Sequence, residues 1–277
     1  MCAGPVVWQH RCSGTLRSAF RAAQRLPSDS GKLKSDMARN EIELQLRSFR
    51  DVAPGTRHFV FSRVDGEPAK FHPGQFLMMH FESEGEAHSR SYSLANDPAG
   101  SDTYELSIAF VEGGRGSRLL WALEPGERIR VTAPHGRFVL RNEPVRRYVL
   151  VCTGTGIAPY RAMVGELTRR MRDEGLHVTL LLGVREPADL LYGDEWAALM
   201  AEFPAFSFVA CYSRIQPESP QAWERKGYVQ GALADMPLDP EQDIVYLCGN
   251  PNMVDQSIEL LTEKGYSPLA VRREKYT

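Results

Sequence analysis

The sequence predicts two domains in tandem: an antiparallel β-barrel, then a doubly wound α/β domain built on a parallel sheet. Three observations carry this expectation. From Glu41 to about Leu140, short alternating runs are separated by turn residues. After Arg146, nearly continuous apolar runs alternate with helical stretches. The 277 residues are enough for two domains of ordinary size.

In the first half, "IELQLRSF" alternates strictly, as a strand with one buried and one wet face requires. "RHFVFSR", "QFLMMHF", "YELSIAFV" and "RIRVTA" continue the rhythm, punctuated by Pro54-Gly55, Pro73-Gly74 and Pro125-Gly126. Short strands with such punctuation argue for an antiparallel barrel or sandwich. One helix is expected around Ser117 to Leu123, with Ser117 as its N-cap. In the second half, "RYVLVC" reads as a strand covered on both faces. A glycine-rich turn and a helix from Pro159 to Glu174 follow it. "HVTLLLGV", "FSFVACYS" and "DIVYLCG" are further strands. "GDEWAALMAEF" and "PNMVDQSIELLTEKG" are helices, the last stopping at Gly265. "RNEPVRR", Arg141 to Arg147, reads as the linker, which places the barrel at residues 37–142 and the α/β domain at 146–277.

A net charge of −2 gives no general reason to expect nucleic-acid binding. The longest apolar runs, such as Val178 to Val184, are too short to span a bilayer, so a soluble chain is expected. Five scattered cysteines show neither zinc nor iron–sulfur spacing, and no metal site is expected. Their odd number, without a secretory signal, fits a reducing compartment such as the cytoplasm. Met1 to Ser28 holds no acidic residue but carries Arg11, Arg17, Arg21 and Arg25. Residues 1–36 read as a dispensable, disordered leader. The alternatives are a mitochondrial presequence, which would send the protein to the matrix, or translation from a start upstream of Met37.

Two glycine-rich stretches suit anions. "CTGTGIAPYRAM" lies between a parallel strand and a helix, where glycines let backbone approach a phosphate at the helix start. "EGGRGSRLL" precedes the predicted helix of the first half. Arg90, in "RSYSLAN", would supply a cation opposite it, holding a pyrophosphate between its guanidinium and the amides from Gly116 to Arg118. A polar surface strand and a hairpin turn with a capped helix remain the plainer readings of those two stretches.

In order along the chain, "FHPGQF", "RSYSLAN", "GGRGSRLL", "APHGRF", "CTGTGIAP", "GVREPADLLYGDEW", "YSR", "KGYVQ" and "YLCGNPNMV" resemble the motifs of the ferredoxin–NADP reductase superfamily of flavoproteins. Within it the likeness is to the bacterial ferredoxin/flavodoxin reductases, over Glu41 to Thr277. The resemblance implies FAD and NADP(H) as cofactors. By it, Arg90 would hold the FAD pyrophosphate, Tyr92 would stack on or hydrogen-bond the flavin and its ribityl chain, and Ser93 would reach flavin N5. Amides at Gly116 and Ser117 would complete the phosphate site. Gly154, Thr155 and Gly156 would face the nicotinamide nucleotide's pyrophosphate. Cys248 would sit by the nicotinamide ring and shape the transfer geometry without acting as a nucleophile; a buried apolar thiol is the plainer reading. Ser213, Arg214, Lys226 and Tyr228 match members that read the 2′-phosphate of NADPH. Trp223 to Val229 equally resembles NADH-using oxygenase reductases. Tyr276 would cover the flavin, and Glu274 matches a carboxylate near the nicotinamide.

The implied reaction moves a hydride between nicotinamide C4 and flavin N5, with Ser93, Cys248 and Glu274 as the residues at the reacting atoms. Electrons would then leave singly to a separate ferredoxin or flavodoxin, docked by Arg272, Arg273 and Lys275 on a monomeric reductase. The alternatives are an NADH-dependent reductase of an oxygenase system and a flavin-binding module that does not turn over.

Overall fold

The computed structural model describes residues 41–83 and 86–276. The expected leader, residues 1–36, and the approach from Met37 lie outside the described residues.

The first sheet contains β1 (Glu41–Ala53), β2 (Thr56–Arg63), β3 (Phe76–Ser83), β4 (Glu86–Ser93), β5 (Thr103–Ala109) and β6 (Arg128–His135). Its order is β4-β3-β6-β1-β2-β5, with every pairing antiparallel. A bridge from Leu94 to Leu106 brings the end of β4 against β5 and curls the sheet toward closure. The alternation read in "IELQLRSF" puts Leu44 and Leu46 in the core beside Phe59, Phe61, Leu77, Met79 and Val131. The helix α1 spans Arg115–Trp121 and buries Leu119 and Leu120. It starts earlier than the sequence predicted, because Gly114 is the N-cap. Ser117 therefore does not cap it. Its hydroxyl is turned back on the preceding loop, accepting from the Val111 amide at 3.1 Å and lying 3.0 Å from the Val111 carbonyl.

The second sheet is parallel throughout: β7 (Arg147–Thr153), β8 (His177–Val184), β9 (Phe206–Tyr212), β10 (Glu224–Lys226), β11 (Asp243–Gly249) and β12 (Val271–Lys275). The order β10-β9-β8-β7-β11-β12 reverses direction between β7 and β11. Open α/β sheets bind ligands beyond the carboxyl ends of strands at such a reversal. Helices cover both faces: α2 (Ala158–Ala162), α3 (Val164–Glu174), α4 (Gly193–Glu202), α5 (Val229–Asp235) and α6 (Pro251–Glu263). The helix expected from Pro159 to Glu174 is broken at Met163, and the last helix stops at Glu263, two residues before Gly265. Alternate residues of β7 enter different cores, Leu150 and Cys152 one and Val149 and Val151 the other, which is why "RYVLVC" is apolar throughout. Strands β10 and β12 were not foreseen. Both are short, highly charged edge strands ("ERK", "VRREK"), a composition that guards an edge and hides the strand pattern. Among the described residues, no helix is long and apolar enough to cross a membrane.

Candidate active site

A cavity of about 880 Å³ opens at the reversal between β7 and β11. Its floor is the β7 turn, Thr153 to Thr155, and the β11 end, Gly249 and Asn250. The two strand ends meet closely because Gly249 has no side chain: a Cβ there would lie 2.5 Å from Thr153 Oγ1. That hydroxyl accepts from the Asn250 amide at 2.9 Å, and the Asn250 side chain caps α6 by accepting from the Asn252 amide at 2.9 Å. Gly154 adopts a positive φ of 51°, which turns the chain out of β7.

Of the residues predicted for the nucleotide, Gly154, Thr155, Ser213 and Tyr228 line this cavity. Gly156 does not. It is buried, and a Cβ on it would fall 2.4 Å from the Cys248 carbonyl, so its smallness seats the turn on β11. Arg214 and Lys226 are exposed and lie outside the lining, whereas Arg185, which the sequence reading missed, is part of it. The Arg214 amide donates to the Arg185 carbonyl at 2.9 Å, so both guanidinium side chains rise from adjoining backbone. Arg185 directly follows β8, at the carboxyl end of a parallel strand, and that position was the signal available for it.

The barrel's contribution comes from β4, an edge strand. Arg90 and Tyr92 pair with Met79 and Leu77 and so share one face, toward α1. A Cβ on Gly116 would lie 3.1 Å from the Tyr92 hydroxyl and 3.3 Å from Arg90 Cγ. Glycine at the helix start therefore keeps a cradle open between strand and helix. Arg90 donates to the Ser89 carbonyl at 2.8 Å and forms no ion pair among the described residues. Burial pushes the Tyr92 phenol up to about 12, partly opposed by the Arg90 charge, so it stays neutral.

Ser93, next in sequence, points to the opposite face and is buried. Its hydroxyl donates to Glu274 Oε1 at 2.9 Å and accepts from the Tyr276 hydroxyl at 2.6 Å. Glu274 lies in register with Cys248 on the neighbouring strand, and the Tyr276 amide donates to the Gly249 carbonyl at 2.8 Å. The structure thus gathers Ser93, Cys248, Glu274 and Tyr276 where barrel and α/β domain meet, and Tyr276 is the one of them that lines the cavity. Burial, then the Glu274 charge, pushes the fully buried Cys248 thiol well up, so it remains protonated.

Burial also raises the Glu274 carboxyl, the Ser93 hydroxyl opposing it. A raised folded-state value means that stability is fully present below the unfolded value near 4.5 and is lost as pH rises through the folded one. Glu274→Gln is neutral at all pH. It is expected to melt above wild type at pH 8 and level with it at pH 4. A variant melting lower at pH 8 would show that the fold needs the carboxylate charged.

Residues 43–140 match the family model of the oxidoreductase FAD-binding domain, and residues 150–258 that of the oxidoreductase NAD-binding domain. Ferredoxin–NADP reductase B of Sorangium cellulosum is 32% identical over 241 residues, covering 84% of this chain and 94% of that protein. The chain belongs to the ferredoxin–NADP reductase superfamily. It is an FAD- and nicotinamide-nucleotide-binding oxidoreductase of that type. Another relative, the reductase component 1 of terephthalate 1,2-dioxygenase from a Comamonas species, is 30% identical over 78% of this chain and 68% of its own length. Among solved structures, an Amycolatopsis cytochrome P450 reductase superposes with a TM-score of 0.75 at 28% identity, over 91% of this chain and 74% of that one. A ferredoxin NADP+ reductase from Neisseria gonorrhoeae, solved with bound FAD and NADP, shares the fold with a TM-score of 0.73 at 24% identity, over 85% and 98% of the two chains.

Proposed function

We propose that this reductase passes electrons between NADPH and a separate one-electron carrier, a ferredoxin or flavodoxin. The observation that carries this reading is the meeting of Ser93, from the barrel, with Glu274, Tyr276 and Cys248 of the α/β domain, beside the nucleotide cavity that Tyr276 lines. A flavin bound there supplies the exchange between a two-electron donor and a one-electron acceptor. The protein's own part is to bind, orient and exclude water. Arg90 and the amides at Gly116 and Ser117 hold the FAD pyrophosphate, and Tyr92 packs on the flavin. Ser93 would stand at the reacting edge with its hydroxyl oriented by Glu274, and would have to turn its one proton from that carboxylate to donate to the flavin. Cys248 would help shape the nicotinamide position, and Tyr276, which lines the cavity, would cover the flavin. Gly154 and Thr155 present backbone to the nucleotide's pyrophosphate, with Ser213, Arg214, Lys226 and Tyr228 toward its adenosine end.

A second cavity of about 490 Å³ adjoins Glu274 and Phe76 and is lined by Arg137, Arg272 and Arg273. Three guanidinium groups beside the flavin end suit an acidic carrier docking on a monomeric reductase. The test is direct. Purified protein should be yellow, should bleach under NADPH without oxygen, and should recolour on adding an oxidised ferredoxin. A colourless protein, or one that NADPH leaves yellow, overturns the reading.

Choice of nucleotide is tested at the far side of the cavity. Arg214→Ala should lower the ratio of kcat/KM for NADPH over NADH about ten- to hundredfold, from roughly 1.5–3 kcal/mol for a charged hydrogen bond to the 2′-phosphate. Most of the change should fall in KM, because the contact is remote from the reacting carbon. Arg185→Ala should act in the same sense. Equal losses with both nucleotides would make these residues loop supports. Wild type preferring NADH would favour the oxygenase-reductase alternative, which the segment from Trp223 to Val229 and the terephthalate dioxygenase relative already support.

A further inference from the structure

The seam between the two sheets holds a polar chain that neither cofactor site uses. Tyr192, at the N-cap of α4, sits in the left-handed region with φ 57°, where a bulky side chain persists only if its surroundings hold it. Its hydroxyl is buried between Ser107 Oγ of β5 and His58 Nδ1 of β2, the latter 2.8 Å away. His58 Nε2 lies 3.0 Å from Glu105 Oε2. A carboxylate only accepts, so His58 presents a protonated Nε2 to Glu105, while its Nδ1 is hydrogen-bonded to the Tyr192 hydroxyl. The Tyr192 hydroxyl thus ties β5 and β2 of the barrel to the start of α4. Arg161 closes the chain from the α/β side. Its guanidinium donates to Glu105 at 3.2 Å, to the Ala95 carbonyl at 2.7 Å and to Glu195 at 2.7 Å, and stands 4.7 Å over the Tyr192 ring.

His58, Ala95, Glu105 and Ser107 belong to the barrel; Arg161, Tyr192 and Glu195 belong to the α/β domain. Leu191, the residue immediately before Tyr192, lines the nucleotide cavity. We propose that this chain is a latch fixing the angle at which the barrel presents the flavin to the nucleotide cavity, and that Tyr192 is a positioning residue for electron transfer between the two cofactors. The inference rests on reading that cavity as the nicotinamide site. Each cofactor is held mainly by one domain, so their separation depends on how the domains dock. Apolar contact across a seam is non-directional and tolerates sliding, whereas hydrogen bonds need set distances and angles. The seam is also tight: a Cβ on Gly165 of α3 would lie 1.6 Å from the Asp97 carboxylate of the barrel side.

The experiment is stopped-flow reduction of the bound flavin at saturating NADPH in wild type, Tyr192→Phe and Tyr148→Phe. Tyr148 also has a buried hydroxyl, bonded to the Arg141 carbonyl and to Arg170, outside the Tyr192 chain. Tyr192→Phe should keep its FAD and its nucleotide dissociation constant while the limiting rate falls at least about tenfold, since a displacement near 1 Å can cost about a hundredfold. Tyr148→Phe should melt lower yet reduce at the wild-type rate. Tyr192→Phe/His58→Gln should be little slower than Tyr192→Phe alone, as expected of residues acting as one unit. If Tyr192→Phe loses its flavin, Ser107→Ala, which removes only one hydrogen-bond partner of Tyr192, takes its place with the same expectation. A wild-type limiting rate, a change confined to KM, or equal slowing in both tyrosine variants overturns the latch. Wild type that no nicotinamide nucleotide reduces overturns the cavity reading itself, and the two failures are told apart by the wild-type trace.

Discussion

Arg90→Ala is expected to weaken FAD binding about ten- to hundredfold while leaving the fold intact. Hydrogen bonds to charged groups contribute roughly 1.5–3 kcal/mol, and an anionic pyrophosphate between Arg90 and the α1 amides would lose its cationic partner. The surroundings of Arg90 make this a clean change. Its one described hydrogen bond goes to the neighbouring Ser89 carbonyl, and it forms no ion pair among the described residues. Truncation therefore strands no buried carboxylate, and the flavin-free protein should melt as wild type does. The flavin dissociation constant, read from the recovery of free-flavin fluorescence on dilution, measures the loss. An unchanged constant would mean that Arg90 is a surface residue on a polar strand and that the phosphates bind elsewhere.

Cys248→Ala is expected to slow flavin reduction by up to about a hundredfold with little change in nucleotide affinity. The thiol is fully buried and held protonated, so it contributes shape and no nucleophile. It touches the Tyr276 hydroxyl, which in turn bonds Ser93, and removing the sulfur frees the far end of that chain. A nicotinamide ring that settles into the gap loses alignment, and small misplacements of reacting atoms are costly. Cys248→Ser, which restores a similar volume, should recover much of the rate. Reduction of Cys248→Ala at the wild-type rate under saturating NADPH would make Cys248 an ordinary core residue of β11.

Much of this architecture was readable from pattern alone, and the exceptions have physical causes. Alternation located the barrel strands, because burying one face forces a period of two. The structure, by the same period, puts Arg90 and Tyr92 on the opposite face of β4 from Ser93, a division the sequence reading did not draw. No local pattern links Ser93 to Glu274, which lie 181 positions apart; only resemblance to a family set them in one site. Ser117 misled because a serine near a helix start is usually a cap, and here glycine at position 114 took that place. Gly156 also packs beneath a strand, which sequence alone did not show, because a glycine beside a phosphate and a glycine beneath a strand look alike there. Strands β10 and β12 were hidden by their charge, and Arg185 by lying in a turn whose place in the sheet is known only after the strands are ordered. The Tyr192 chain could not be read at all, since it joins three segments that never adjoin in sequence.

The buried thiols supply a built-in clock for opening of the nucleotide-binding half. Cys152, Cys211 and Cys248 are all buried, on β7, β9 and β11 of one sheet. A thiol reagent can reach them only when the surrounding structure opens, so each labelling rate measures the free energy of the opening that exposes it. With Cys2 and Cys12 replaced by serine, three rates would be read from one chain. Equal rates would mean that the sheet opens as a single unit. A faster Cys211, which lines the nucleotide cavity on the β10 side of the sheet, would mean that the sheet frays from the adenosine side inward. Saturating nucleotide would then slow that one rate first, reporting binding without any flavin signal.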